Sequence, residues 1–208
     1  GPIDDYSPYN RPWGKYEDKI ESVIIGDAVT RIGNNNFYGC DNLTSITFGN
    51  GVTAIGESAF QFCSGITGEL VIPDGITSIE SRAFADCAIT SVKFGSGIKT
   101  VGTDEFTYNR IESFSVSEES PYFCAEEGVL FSKDKSAIIR YPMPKQGNYF
   151  LPDSVKVIKS YAFSGFRGKL IINTVLDEIE HNAFASVVLS DRTLCSVYFM
   201  AGQPLLSY

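Results

Sequence analysis

The stretch Phe48–Cys63, FGNGVTAIGESAFQFC, decides the fold of this chain because its second half repeats an earlier segment. Ile32–Cys40 reads IGNNNFYGC, which is the same pattern, I-G-x-x-x-F-x-x-C. Equivalent hexapeptides end at Phe37, Phe60, Phe84, Phe106, Phe163 and Phe184, with intervals of 23, 24, 22, 57 and 21 residues. A period of about 20 to 50 residues indicates units that stack on one another. The chain therefore predicts a solenoid with one interruption.

Apolar residues recur at fixed distances before each of these phenylalanines. For Phe60 they are Ile55, Val52, Phe48 and Ile46. The two-residue spacing of the last pair is typical of a strand that turns alternate side chains inward. The segment that carries the Phe follows a polar turn and predicts a short helical or 3-10 turn. Since one unit cannot bury its apolar side alone, we expect parallel strands about 4.8 Å apart around a continuous core.

The interval of 57 residues contains one further coil and an insertion. Ile111, Phe114 and Val116 restore the strand pattern, and the segments GVLF and AIIRY flank the polar turn SKDKS. Two apolar runs around such a turn predict a β-hairpin. LCSVYF, at residues 194–199, supplies a last strand, which brings the total to about eight coils.

The repeat resembles the BspA-like leucine-rich repeats, whose unit runs approximately L-x-x-I-x-I-P-x-x-V-T-x-I-G-x-x-A-F-x-x-C. Leu43–Cys63 matches this unit nearly position by position, and the resemblance covers residues 20–199. Asn109, Phe166 and Val187 depart from it, since the repeat usually has Cys there. The resemblance implies an α/β fold: a leucine-rich-repeat solenoid with a parallel β-sheet, short helical or 3-10 turns and one inserted β-hairpin.

The resemblance also implies a domain organisation and a location. Residues 1–19 look like the segment that caps the first coil in this family, with Trp13 and Tyr16 as capping side chains. Residues 20–208 would then form the solenoid of about eight coils, with the hairpin at about 117–147. Members of the family are mostly secreted or surface-anchored proteins of anaerobic bacteria and some protozoa, thought to act in adhesion. An extracellular or cell-surface bacterial protein is implied, with no targeting segment in this sequence.

Composition narrows the range of partners. The 17 Lys and Arg residues and 25 Asp and Glu residues give a net charge of −8. This balance argues against nucleic acid or an anionic membrane as the partner. No apolar run approaches the roughly 18 residues that cross a bilayer, so no membrane insertion is expected. We expect a monomer that binds an extracellular protein or glycan without a cofactor.

The sequence carries no pattern typical of an enzyme. His181 is the only histidine, and other coils have Glu57 and Ser81 at its position, which indicates a solvated turn. Ser-His-Asp, Cys-His and multi-histidine metal sites therefore have little support. Adjacent acids such as Glu118 and Glu119 are better explained as solvated surface, because a repeat face offers no deep cleft for a glycosidase pair. We expect no catalytic, cofactor-binding or metal-binding residues.

Three cysteines, Cys40, Cys63 and Cys87, occupy one position in consecutive coils. Their expected spacing of about 4.8 Å lies within the range of about 4.4–6.8 Å that a disulfide tolerates between Cα atoms. Side chains that point inward in parallel favour the other interpretation, a column of small buried thiols.

Alternation along the strands predicts an outward face that could bind a partner. The candidate binding residues are Phe150, Ile171, Tyr198, Lys93, Lys169 and Glu69. The first three form an aromatic and aliphatic patch, which suits an anchor, although such residues are also ordinary on sheets. The hairpin, with Tyr122, Phe123 and Tyr141, is a second candidate, for which internal packing is the alternative role.

Together these observations predict a non-enzymatic cell-surface or secreted binding or adhesion module that presents a repeat β-sheet to a protein or glycan. The alternative is a structural spacer domain of a larger surface protein that has no ligand of its own.

Overall fold

The computed structural model describes residues 1–102, 104–142, 145–185 and 196–199. Its short parallel strands follow one another as turns of a solenoid, which confirms the predicted leucine-rich-repeat architecture. The chain divides into two compact units, Gly1–Ile111 with Val116–Ser120, and Glu112–Ser115 with Pro121–Tyr208. Regular helix in the described residues is limited to the 3-10 helix η1 (Gly14–Lys19).

Among its described residues, the first unit wholly contains seven short strands, and their pairings with one another are parallel. Strand β1 (Ser22–Ile24) pairs with β3 (Ser45–Thr47), and β5 (Thr67–Ile72) pairs with β7 (Ala88–Phe94). On another side of the coils, the two-residue strands β2 (Arg31–Ile32), β4 (Ala54–Ile55) and β6 (Ser78–Ile79) form a second ladder. Strand β8 (Ser113–Val116) lies in the sequence where the two units divide.

The strands bury alternate side chains, as their sequence pattern predicts. In β5, Leu70 and Ile72 are buried, whereas Glu69 and Val71 are exposed. Along the second ladder, Ile32, Ile55 and Ile79 pair in register and are all buried. Each buried aliphatic side chain of this kind contributes about 1.5–3 kcal/mol, so in-register stacking concentrates the stabilising contacts inside the coils.

A column of aromatic rings runs through the first unit. The centroids of Phe37 and Phe60 lie 5.1 Å apart, those of Phe60 and Phe84 also 5.1 Å, and those of Phe84 and Phe106 5.9 Å. Phe60 and Phe84 have no exposed surface. The repeated Phe therefore forms a stacked column in the first unit, as predicted, with Phe60 and Phe84 fully buried.

The turns that carry these phenylalanines are tighter than a helix. Residues two before and two after Phe60, namely Ser58 and Phe62, have left-handed φ angles of 53° and 63°. Left-handed residues interrupt a right-handed helix, so the predicted short helical turns are present as hydrogen-bonded turns. They also bond between coils, since Phe60 N–H donates to the Ala83 carbonyl at 2.8 Å.

Residues before the first coil pack against its end. The Trp13 ring stacks on Phe37 at 5.8 Å, and its Nε1–H donates to the Asn36 carbonyl at 2.6 Å. The Ile3 N–H donates to the Arg31 carbonyl at 2.8 Å, which satisfies one edge group of β2. Tyr16 is 48% exposed, so the contacts suited to capping come from Trp13. The boundary at residue 19 stays a prediction.

The second unit contains a five-stranded sheet and a three-stranded sheet in its described residues. The first sheet has the order β15-β13-β11-β10-β9, formed by β9 (Phe123–Glu126), β10 (Val129–Ser132), β11 (Ala137–Arg140), β13 (Val157–Ile158) and β15 (Glu178–Ile179). The second has the order β12-β14-β16, formed by β12 (Gln146–Phe150), β14 (Arg167–Ile172) and β16 (Ser196–Phe199). All pairs in the second sheet are parallel.

The predicted hairpin is confirmed and is larger than expected. Strands β10 and β11 pair antiparallel, and β9 adds a further antiparallel strand to β10. Strand β11 also pairs in parallel with β13, which joins the insertion to the regular ladder. The predicted total of about eight coils extends over residues 186–195 and 200–208, which lie outside the described residues, so the number stays a prediction.

Candidate binding surface

The sheet β12-β14-β16 aligns three of the predicted binding residues in one row. Phe150 pairs in register with Ile171, and Ile171 pairs with Tyr198. Phe150 is 61% exposed and Tyr198 is 45% exposed. Large apolar side chains with this exposure are available to a partner. The row therefore places two aromatic side chains on either side of a central isoleucine.

Ile171 is less accessible than expected. It is half-buried, because its strand is the middle one and each neighbouring strand carries an aromatic side chain beside it. Lys169, one outward position earlier, is exposed, and its Nζ lies 5.7 Å from the centroid of the Tyr198 ring. A cation at this distance from an aromatic face is attracted to it, so Lys169 and Tyr198 form a cation–π pair.

Glu69 and Lys93 lie on another sheet. Both are exposed on the sheet of β5 and β7, where Glu69 pairs with Ser91 and Val71 pairs with Lys93. This sheet belongs to the first unit, whereas β12, β14 and β16 belong to the second. The described strand pairing thus places the candidate residues on separate sheets, and their role in binding stays a prediction.

The hairpin residues serve packing for the most part. Phe123 and Tyr141 are buried, and only Tyr122 is exposed, at 42%. The Tyr141 ring stacks on Phe163 at 5.4 Å, and its N–H donates to the Ala162 carbonyl at 2.8 Å. Phe163 N–H bonds in the same way to the Ala183 carbonyl. Tyr141 therefore occupies the Phe position of its coil. Aligning the repeats did not identify this role, because the turn before Tyr141 is shorter than the turns before the repeated phenylalanines.

The cysteine column consists of buried thiols. Cys40, Cys63 and Cys87 are free and buried, which confirms the thiol interpretation over the disulfide. Cys63 Sγ donates to the Phe37 carbonyl at 3.0 Å, and Cys87 Sγ donates to the Phe60 carbonyl at 3.2 Å. Burial raises the pKa of the Cys87 thiol to about 12 and that of Cys40 to about 11. Such thiols stay protonated at neutral pH and are poor nucleophiles.

Asn109 performs the same task as the cysteines it replaces. Its Nδ2 donates to the Phe84 carbonyl at 2.7 Å, and its Oδ1 accepts from Ile89 N–H at 2.9 Å. The other described departure, Phe166, is buried and packs at 5.4 Å from Phe163 instead. Val187 and Cys195 lie outside the described residues. The residue at this repeat position thus either donates a hydrogen bond to a carbonyl of the preceding coil or packs an apolar side chain on the repeated Phe.

The remaining polar and ionisable side chains of the described residues do not form a recognisable catalytic group. His181 is exposed on its turn, as expected. Across the ranges that the structure describes, no group of three or more His, Cys, Asp or Glu side chains is placed to hold a metal ion. Within the same ranges, no helix has the length and apolar character that crossing a bilayer requires. The expectation that the chain is not an enzyme stays a prediction.

Solved structures of bacterial leucine-rich repeat proteins share this fold. One from Eubacterium ventriosum is 24% identical, covers 87% of this chain and has a TM-score of 0.61. The pneumococcal vaccine antigen PcpA is 24% identical over 79% of the chain, with a TM-score of 0.54. One from Bacteroides ovatus is 17% identical over 87%, with a TM-score of 0.52. The chain spans 54%, 51% and 61% of those proteins, respectively. No curated protein sequence matches it significantly.

The repeat itself matches a defined family. The BspA type leucine rich repeat region matches in six copies, over residues 15–119 and 144–199. These ranges contain the aromatic column of the first unit, the cysteine column and the β12-β14-β16 sheet. On this evidence the chain belongs to the BspA-type leucine-rich repeat family.

Proposed function

We propose that this chain is a surface or secreted binding module that holds a protein partner on the outward face of β12, β14 and β16. The observation that carries the proposal is the in-register row of Phe150, Ile171 and Tyr198. Binding energy at protein interfaces concentrates on a few aromatic and Arg anchors. Two exposed aromatic side chains on the outer strands of this three-stranded sheet supply such anchors without ordering a loop.

The charge of this face favours an acidic partner. Its described outward side chains beside the apolar row are Asn148, Arg167 and Lys169, and none is acidic. The whole chain has a net charge of −8, so a face with two basic side chains differs in sign from the rest of the molecule. Complementary charge steers association and selects partners. An acidic protein segment with apolar side chains matches both properties of the face.

A protein partner suits this face better than a neutral glycan. Sugar hydroxyl groups are usually held by carboxylate or amide side chains as well as by aromatic rings, and Asn148 is the only described side chain of either kind among the outward positions of the three strands. Extended repeat sheets commonly serve as protein-binding surfaces. One protein with this fold, PcpA, is a vaccine antigen, and we propose a comparable extracellular placement here.

The test is binding of the purified chain to an immobilised panel of extracellular-matrix proteins, mucins and polysaccharides. The variant Phe150→Ala/Ile171→Ala/Tyr198→Ala is compared with Ile24→Ala/Val71→Ala, which removes exposed apolar side chains from sheets of the first unit. We expect binding to at least one protein, weakened about tenfold or more in the first variant only. Equal affinity of the two variants would refute the proposed face. Binding to nothing in the panel would favour the spacer function.

A charge reversal tests the acidic partner separately. Lys169→Glu places an acid beside Tyr198, whereas Lys93→Glu makes the same change on β7 of the first unit. We expect Lys169→Glu to slow association and to lower affinity, with a loss that shrinks at high salt. The Lys93→Glu variant should bind like the parent chain. The reverse order of effects would move the binding face to the first unit.

A further inference from the structure

Two aromatic residues of the first unit occupy backbone positions that suit glycine. Phe62 and Tyr108 each lie two residues after a core Phe and have φ angles of 63° and 62°. The equivalent residues in other coils include Gly39 and Gly165, with φ angles of 68° and 73°. The left-handed region is open to glycine, but for a bulky side chain it is a genuine outlier that costs stability.

Burial does not explain these two side chains. Phe62 is 40% exposed and Tyr108 is 61% exposed. Strain of this kind persists where the surrounding structure over-determines it, and it clusters at functional sites. The fold imposes the left-handed backbone at this position, since Asp86 has it too, and it is the exposure of the Phe62 and Tyr108 rings that points to a role outside the core.

The strained residues belong to one ridge along the turns. Phe62 N–H donates to the Ala85 carbonyl at 3.0 Å, and Asp86 N–H donates to the Thr107 carbonyl at 2.9 Å, so successive turns are in register. Asp86 lies between Phe62 and Tyr108, which are two coil steps, or about 10 Å, apart. Tyr38 extends the ridge, because its ring meets that of Phe62 edge-on at 5.3 Å.

The turn that carries Asp86 lies between those of Phe62 and Tyr108, and the Asp86 side chain bonds to the preceding turn. Gln61 Nε2 donates to Asp86 Oδ2 at 3.3 Å. Within the described residues, Asp86 Oδ1 accepts no hydrogen bond and the carboxylate has no ion-pair partner. The ridge therefore offers an aromatic ring, a carboxylate paired with an amide, and a second aromatic ring, in that order along the coils.

We propose that Tyr38, Phe62, Asp86 and Tyr108, named here the turn ridge, bind a neutral oligosaccharide chain. The apolar face of a sugar ring packs on an aromatic side chain, and its hydroxyl groups donate to a carboxylate or amide oxygen. The turns that carry Phe62 and Tyr108 are two coil steps apart, so one extended chain spans both. Asp86, on a chain with a net charge of −8, repels a polyanionic ligand. This site lies in the first unit and does not depend on the proposed function.

The test measures binding of four neutral oligosaccharides, cellotetraose, xylotetraose, mannotetraose and chitotetraose, by isothermal titration calorimetry, with a heparin tetrasaccharide as the anionic probe. The key variant is Tyr108→Gly, which removes both the ring and the backbone strain. The matched control is Tyr161→Gly in the second unit, since Tyr161 is also aromatic and has a φ of 59°.

We expect at least one neutral probe to bind, and Tyr108→Gly to weaken it about tenfold or more while the melting temperature stays equal or rises. The Tyr161→Gly variant should keep the affinity of the parent chain. Binding of no neutral probe, preference for the heparin probe, or unchanged affinity in Tyr108→Gly would each overturn the proposal. A lower melting temperature of Tyr108→Gly would also overturn it, because the ring would then serve the fold. If Tyr108→Gly lost binding to a protein but kept binding to the oligosaccharides, the turn ridge would instead be a protein-binding surface, and the oligosaccharide proposal would be overturned.

Discussion

At the scale of single residues, the repeated Phe stacks on its equivalents in the neighbouring coils of the first unit. Phe60 stacks between Phe37 and Phe84 at 5.1 Å from each, and it has no exposed surface. Removing it leaves a cavity that the neighbouring coils cannot close, because both are held by in-register strand pairs.

Phe60→Ala should lower the free energy of unfolding by about 3–5 kcal/mol. Urea unfolding followed by circular dichroism measures the loss. Tyr9→Ala is the control, since Tyr9 is 94% exposed and should change stability by less than about 0.5 kcal/mol. A similar small change in both variants would mean that the aromatic column does not stabilise the first unit.

A second residue-scale prediction concerns the position shared by cysteine and asparagine. Asn109→Ala leaves the Phe84 carbonyl and the Ile89 N–H without their side-chain partners, at about 1–3 kcal/mol for a buried group left unpaired. Asn109→Cys restores a donor to the carbonyl, as Cys63 and Cys87 provide in their coils. We therefore expect Asn109→Cys to unfold at a higher urea concentration than Asn109→Ala. Identical midpoints would show that this hydrogen bond contributes nothing.

At the scale of elements, the turns between strands bring the backbones of neighbouring coils into contact. A Cβ atom added at Gly51 would lie 2.0 Å from the Asp27 carbonyl oxygen of the preceding coil. At Gly26, in the preceding coil, an added Cβ would meet no atom within 4 Å. The two glycines therefore differ in what they do for the fold, although both stand in turns.

Gly51→Ala should reduce stability by about 1–3 kcal/mol or more, because the clash is with backbone that other coils hold in place. Gly26→Ala should stay within about 0.5 kcal/mol of the parent chain. Thermal unfolding of the two variants compares them directly. Equal melting temperatures would show that the coils can move apart at this turn without cost.

The salt bridges of Arg31 tie the N-terminal segment to two coils and introduce a dependence on pH. Its Nη1 lies 2.6 Å from Asp5 Oδ1, and its Nη2 lies 3.1 Å from Glu80 Oε1. The Asn34 N–H donated to Asp5, together with Arg31, lowers the pKa of the Asp5 carboxyl below its usual 3.8. A lowered folded-state pKa contributes stability above the usual value and loses it as the pH falls through the folded value.

We expect Asp5→Asn to be less stable than the parent chain at pH 7, and the difference to shrink as the pH falls from about 5 through the lowered folded-state pKa of Asp5, which lies below 3.8. Urea midpoints at intervals across this range measure it. The control is Asp4→Asn, which changes the neighbouring exposed carboxylate and should stay within about 0.5 kcal/mol of the parent chain at pH 7. A difference that stays constant as the pH falls from about 5 to about 2 would assign the effect to the changed side chain and not to its charge.

At the scale of the whole molecule, net charge opposes self-association. A charge of −8 on 208 residues keeps copies apart at moderate ionic strength. Light scattering after size exclusion should give 22.8 kDa, the mass of one chain. A mass that rises with concentration and returns to this value in Phe150→Ala/Tyr198→Ala would make the β12-β14-β16 face a contact between copies.

Much of this architecture could be predicted from the sequence, because each repeat unit packs against units of nearly the same sequence. The apolar spacing of Phe60, Ile55 and Val52 recurs along the repeat, so stacking one coil on the next brings equivalent side chains into contact. The solenoid, the aromatic column, the buried thiols and the alternation of inward and outward side chains all follow from that local pattern.

Other features depend on contacts that no local pattern expresses. Tyr141 joins the aromatic column through strand β11, whose pairing with β13 is set by the insertion and not by the repeat spacing. Ile171 is half-buried because its neighbours across the sheet are aromatic. The left-handed backbone at Phe62 and Tyr108 arises because turn hydrogen bonds between coils outweigh the preference of a bulky side chain. Repeat spacing thus dictates which residues stack, whereas side-chain exposure and backbone strain depend on what the folded coils place beside each residue.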